Sequence, residues 1–206
     1  SDSAFSKTFN NVIRRPELAS LVGAIVIFIL FVAVAPPFRS IDAFSTVLYA
    51  SSTMGIVALA VGLLMIGDEF DLSSGVAVTS TALIATMLNY NLHLNSWVGV
   101  FISLASALTI GALNGVLVTR TGIPSFLITL SVFLMLQGLN LAVTKFVTGR
   151  VATPIISDMQ GFPSAQKVFS STLHIGPMDL RVTVLWWLLF VGAASYLLFR
   201  TRFGNW

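Results

Sequence analysis

The chain has 206 residues, of which 56% are hydrophobic and 9% charged, with a formal net charge of +3 and a mean hydropathy of +0.92. Soluble domains carry roughly 25% charged residues, and a water-soluble fold of this length needs far more polar surface than this, so a polytopic membrane protein is implied. Cysteine is absent, which excludes disulfides and thiolate metal sites. His93 and His174 lie in polar connecting stretches without H-E-x-x-H spacing, so no metal site is expected. Basic and aromatic residues are not interleaved as nucleic-acid binding requires, so no nucleic-acid partner is expected either.

A helix needs about 20 apolar residues to cross the hydrocarbon core. Residues 1–17 are polar and read as a surface segment, with 18–206 as one transmembrane domain. Arg14 and Arg15 precede an apolar run that is long and ends at Pro36-Pro37, unlike a cleavable signal. That run, from about Leu18 to Pro36, is the first expected span, and the second runs from Phe44 to Ile66. The third, Leu72 to about Leu88, is the shortest and is rich in Ser and Thr. Asn89–Ser96 reads as a loop, and Trp97–Val118 as the fourth span. The fifth starts after Pro124, where a missing N–H costs little, and ends near Thr144. A long polar connection fills 145–181, and Val182–Phe199 is the sixth segment. The fold expected is all-α: a transmembrane bundle of about six hydrophobic segments, with an acidic break between the second and third. Basic residues divide 6 to 5 between the two sides, but the inner turns are denser in Arg, which favours both termini inside. A re-entrant third segment would make the count odd and overturn that topology.

The break reads Met65-Ile-Gly-Asp-Glu-Phe-Asp-Leu-Ser-Ser-Gly75. Asp68, Glu69 and Asp71 are the only formally charged side chains between Ala43 and Thr119. Gly67 can take the left-handed conformation that ends a helix. Asp71 suits the N-cap of a helix starting at Leu72, accepting from the N–H of Ser73 or Ser74, and its charge suits the helix dipole. Two readings stay open. One is a surface turn with solvated carboxylates. The other is a break at membrane depth lining a polar passage, where irregular backbone is tolerated only beside protein or water and carboxylates mark a pathway. Asp71 caps in either reading.

Other polar groups lie within the spans. Asn114 sits between Gly111 and Gly115, a G-x-x-x-G that allows close helix packing with Asn114 hydrogen-bonded across it. Gln137 and Asn140 are three apart, hence on one helix face, with Phe133 near it. Such a face points to a partner or a cavity. Trp186 and Trp187 read as belt or packing residues. No catalytic constellation is visible: there is no G-x-S-x-G, P-loop or dinucleotide turn, so this chain is not expected to be an enzyme.

Three stretches together carry a resemblance: "FDLSSG" (70–75), "GALNGVLVTRTGIPSFLITLSVFLMLQGLNL" (111–141) and "RTRFGNW" (200–206). Their order and spacing, over roughly Phe44 to Trp206, resemble the ribose-type sugar permeases of bacterial ATP-binding-cassette importers. The resemblance implies a multi-pass permease subunit in the bacterial cytoplasmic (inner) membrane. It implies a second permease subunit, a cytoplasmic ATPase that binds the ATP, and an extracytoplasmic sugar-binding protein as partners. The cargo implied is a monosaccharide, pentose or hexose, or a similar polyol. No cofactor is implied in this chain itself. Glu69, Asp71, Ser73, Asn114, Gln137 and Asn140 become candidates for the substrate path, with Gly67 and Asp71 for the helix break. Arg200, Arg202, Phe203 and Gly204 become the lead-in to an ATPase-coupling segment. Members of the family continue well beyond this point, so the domain 18–206 is expected to be incomplete at its C-terminus. Many members carry a neutral pair where this chain has Asp68 and Glu69. The spans contain no Arg of the kind a phosphate-like cargo would want. The alternative is a proton- or cation-coupled carrier using Asp68, Glu69 and Asp71.

Overall fold

The computed structural model of the chain describes residues 16–204. The expected surface segment, up to residue 15, lies outside them, as do Asn205 and Trp206. Six long helices form where the apolar runs fall: α1 (Pro16–Val34), α2 (Ile41–Ile66), α3 (Ser74–Leu92), α4 (Ser96–Thr121), α5 (Ser125–Thr148) and, after a short α6 (Phe162–Phe169), α7 (Val182–Arg200). Among the described residues, α2, α4, α5 and α7 are long and apolar enough to cross a membrane. Only 6–11% of the residues in those spans are buried inside the chain, so most of their surface is left for lipid or other protein.

The purely helical fold expected is corrected at one place. Strands β1 (Thr172–Ile175) and β2 (Met178–Arg181) form a hairpin. Gly176 has φ +60, as the first central residue of a two-residue type II′ loop requires, and Pro177 follows it. The 145–181 connection is thus largely ordered: α5 continues to Thr148, and α6 and the hairpin occupy 162–169 and 172–181.

Two compact units divide the chain, with the boundary inside α2. The first holds α1, the start of α2 as far as Leu48, and hairpin residues His174–Asp179. There α1 ends two residues before Pro36, in a 3-10 turn over Pro36–Arg39. The Arg39 guanidinium folds back and donates to the carbonyls of Val32 (2.6 Å) and Ala33 (2.8 Å). These are carbonyls that the last turn of a helix leaves without partners. Phe38 packs edge-on to Phe28, ring centroids 5.4 Å apart.

The second unit, Tyr49–Leu173 with the chain from Leu180 onward, is organised around α3. This helix packs most extensively on α4 and next on α5, while α4 also touches α5. It is also the least apolar of the long helices, and it falls outside the four clear spans. Its polar side chains account for both facts. Ser80, Thr81 and Asn89 are buried against neighbouring helices and need no lipid-facing apolar surface. The segment runs from Ser74 to Leu92, not from Leu72 to Leu88, and Asn89–Leu92 are helical, not loop. The amide of Asn89 lies so close to Gly99 of α4 that a Cβ there would overlap it. Burial of Asn89 at this close approach extends the helix through a stretch whose polarity suggests a loop. His93, with φ 50, then closes it.

Further along α4, Asn114 bonds across to Ser73 as expected, while Gly111 and Gly115 make no close helix contact among the described residues: a Cβ at either would meet nothing within 4 Å. The two tryptophans of α7 are packing residues. Trp186 donates to the Val168 carbonyl at 2.9 Å, and the Trp187 ring lies against Gly55 of α2.

Candidate functional site

The acidic connection 67–73 closes α2 and opens α3 by different means. At the α2 end, Asp68 N–H bonds to the Met65 carbonyl (3.2 Å) and Glu69 N–H to the Leu64 carbonyl (3.1 Å). This pair of bonds is the Schellman motif, which places its third-from-last helical residue at Leu64 and its left-handed residue at position 68. The left-handed residue is therefore Asp68, with φ 58, and not Gly67 as the sequence suggests. Asp is one of the few side chains that visits this region, because its short polar group bonds locally.

At the α3 end the first helical residue is Ser74 and the flanking residue is Ser73, so Asp71 stands two positions before the cap. Its carboxylate still reaches the helix start. Oδ1 accepts from the Ser73 N–H (2.7 Å) and the Ser73 hydroxyl (2.6 Å), and Oδ2 accepts from the Ser74 hydroxyl (2.8 Å). From α4, Asn114 Nδ2 donates to Ser73 Oγ at 2.8 Å. The order Asn114 → Ser73 → Asp71 is a directed chain of hydrogen bonds ending on a charge, and charge-assisted bonds of this kind are the stronger class.

The helix α5 contributes two residues that the sequence reading did not single out for the site. Ser125 Oγ accepts from the Phe70 N–H (3.0 Å). Thr129 Oγ1 lies 3.2 Å from both the Leu72 N–H, from which it accepts, and the Phe70 carbonyl. Ser125 and Thr129 are four apart, on one face of the first turns of α5. That spacing just after Pro124 is the signal available in the sequence. Its target, a backbone more than fifty residues earlier, has no local trace. Asp71, Ser73, Asn114, Ser125 and Thr129 thus form one clamp joining α3, α4 and α5.

Glu69 is exposed and stands apart from that clamp. Gln137 and Asn140 lie along a groove between α3 and α5, about 930 Å³ in volume, shared with Thr79, Phe133, Thr144 and Thr153. The lining carries no charged side chain. Thr144 is 4% exposed, and among the described residues its hydroxyl has no hydrogen-bond partner. The groove also touches Gly75 and Val76, in the first turn of α3, and so begins where the clamp ends. The residues proposed for one path therefore fall into two adjoining groups, with Glu69 outside both.

Of the C-terminal candidates, Arg200 ends α7, while Arg202 and Gly204 lie in a 3-10 turn that packs on α7. Phe203 is in the same turn, and its side chain lies outside the described set. The cation-coupled reading finds no support. Among the described residues no three acidic, His or Cys side chains are grouped to hold a metal ion, and both Asp71 oxygens are engaged by serines.

Among the described residues, four apolar spans and a helix start clamped by two neighbouring helices, with an uncharged groove beside it, define a multi-pass membrane protein. The chain belongs to the family described as the branched-chain amino acid transport system / permease component, whose model matches residues 43–206. It is 27% identical over 192 residues to the ribose import permease RbsC of Escherichia coli (strain K12), covering 92% of this chain and 56% of that protein. It is 28% identical over 197 residues to the autoinducer 2 import permease LsrC of Klebsiella pneumoniae, covering 94% and 52%. It is also 28% identical over 181 residues to the galactose/methyl galactoside import permease MglC of Salmonella typhimurium (strain LT2), covering 82% and 52%. The chain thus spans about half the length of these curated relatives. No solved structure matches it.

Proposed function

We propose that the chain is part of a permease subunit that carries a monosaccharide, or a polyol of similar size, through the bacterial cytoplasmic membrane. Transport is driven by ATP bound and hydrolysed at a separate cytoplasmic ATPase. The observation that carries this reading is the groove of Thr79, Phe133, Gln137, Asn140 and Thr144, which has no charge on its wall. Amides and hydroxyls can donate and accept along a polyhydroxylated ring, and an aromatic face covers its apolar side. A phosphorylated or carboxylated cargo would need a counter-charge that this wall lacks. The import permeases for ribose and for galactose among its relatives fit that chemistry.

In this reading α1 and α3 also cross the bilayer, with both termini inside. The clamp around Asp71 lies at membrane depth and braces the cytoplasmic end of the path, and residues 200–204 lead toward the ATPase. A second permease subunit and an extracytoplasmic sugar-binding protein complete the importer. Gln137→Leu and Asn140→Leu should each lower sugar uptake tenfold or so, since a site built to bond a hydroxyl loses about 1–2 kcal/mol when one partner is removed. Both variants should still assemble with the ATPase, as judged by co-purification through a tag on the permease. Uptake at wild-type rates in both variants would remove the groove from the path. Uptake that survives ATP depletion and collapses with an ionophore would reject the ATP-driven reading itself.

A further inference from the structure

A second cavity, of about 590 Å³, lies between α3, α4 and α6, at the opposite end of α3 from the clamp. Its two ends differ in chemistry. At the end where α3 stops and α4 starts stand Asn89 and Ser96, which are 2% and 6% exposed. Among the described residues, Asn89 Oδ1 and Ser96 Oγ have no hydrogen-bond partner. Buried polar atoms left so cost free energy and call for an occupant. Asn89 Oδ1 is an acceptor and needs a donor, while a serine hydroxyl can both give and receive. From Ser96 to Ala107 the cavity follows α4 for about 16 Å, at 1.5 Å per residue. Its far end is walled by Ala82, Leu104 and Ala107, all on exposed surface of the helices, so the cavity opens sideways along a face of α4 that the described residues leave uncovered. No charged side chain lines any part of it.

We propose that this cavity is a lipid site: the hydrocarbon chain of an uncharged, hydroxyl-headed membrane lipid lies along Ala82, Leu104 and Ala107, and its hydroxyl bonds Asn89 Oδ1 and Ser96 Oγ. An acylglycerol has the chemistry required. Its chain matches the apolar end, its hydroxyl supplies the missing donor, and it brings no charge to a wall that offers no counter-ion. A lipid ester without a hydroxyl would leave Asn89 Oδ1 unsatisfied. Water at the polar end beside ordinary bilayer chains is the competing arrangement, and it gives no preference for a hydroxyl-headed lipid.

The test uses the protein with its native partners in phosphatidylcholine nanodiscs. A trace of diacylglycerol carrying a diazirine on one chain is added and photolysed. The same molecule with its hydroxyl methylated is the control. Labelling is expected to concentrate on peptides holding Ala82, Leu104 and Ala107. It should exceed that of the methylated control by about five-fold, the factor that one net hydrogen bond supports. Asn89→Leu should erase the difference between the two probes. Ala107→Phe, at an exposed position where folding is not at stake, should cut labelling by both. Equal labelling by the two probes in the wild-type protein overturns the proposal. So does labelling spread evenly over the lipid-facing helices, as water in the cavity would give, or labelling indifferent to Ala107→Phe.

Discussion

The two ends of α3 are built from the same materials, short polar side chains, yet they are held in different ways, and each leaves buried side-chain oxygens without a partner among the described residues: Asn114 Oδ1 at the first, Asn89 Oδ1 and Ser96 Oγ at the second. At the N-terminal end Asp71 draws hydrogen bonds from Ser73 and Ser74 and is braced through Asn114, while Thr129 and Ser125 hold the incoming backbone. At the C-terminal end Asn89 and Ser96 are buried with side-chain oxygens that no described residue bonds. The difference lies in what each end faces. A charge at the first end orients its neighbours and fixes their geometry. The second end has no charge, and a close approach to Gly99, not a network, holds Asn89 in place. On the proposed reading, the clamped start of α3 holds in place one wall of the groove that would carry the cargo.

Substitutions at four positions break or sharpen this contrast. Asp71→Leu should have the largest effect. It removes three bonds to a charged acceptor, each of which contributes about 1.5–3 kcal/mol when buried and less with the partial exposure here, so a loss of about 3 kcal/mol is expected. Thermal unfolding of the purified protein measures it, with Asp71→Asn as the conservative partner that retains stability but lowers uptake. A wild-type melting temperature for the leucine variant would show that the clamp contributes nothing. Gly99→Ala comes next, at about 2 kcal/mol, because overpacking at a close approach displaces the Asn89 amide. It tests whether steric fit, without bonding, holds the second end. Thr129→Val should cost about 1 kcal/mol, and Thr129→Ser should restore most of it, since only the hydroxyl matters to the Leu72 N–H. If serine fails to rescue, the methyl group and not the hydroxyl is what α5 contributes. Asp68→Gly should be the smallest change and of opposite sign. Glycine adopts a positive φ without the cost an L side chain meets, so the melting temperature should rise by the equivalent of about 0.5–1 kcal/mol.

The same contrast explains what could be read from the sequence. The long helices follow from runs of about 20 apolar residues, and the stops of α4 and α5 come at left-handed Gly122 and Gly149. Asp71 to Ser73 was legible because the bond reaches only two residues, within the range of local side-chain capping. Thr129 was not, because its partners in 70–72 become neighbours only when α3 and α5 pack. The left-handed position fell on Asp68 because the hydrogen-bond pattern counts from Leu64, and a nearby glycine does not decide where that count ends. Asn89 reads as loop in a stretch of Asn, Tyr and His, but tertiary burial overrides composition there. The hairpin was within reach: Gly176-Pro177 between two short alternating runs is its signal. The depth of the acidic connection in the bilayer depends on α1 and α3 as spans, which composition alone leaves undecided.

The aromatic residues around α6 have an optical consequence. Trp97 and Trp186 each lie 5.9 Å, ring centre to ring centre, from Phe169, and Trp186 stacks on Phe190 at 6.0 Å. Trp97 also donates to Ser164 at 2.9 Å. Two indoles held in fixed orientation by one short helix give that helix its own signature in the near-ultraviolet. Separation of α6 from α4 and α7 is therefore visible by circular dichroism or intrinsic emission, without any label, in the unmodified protein.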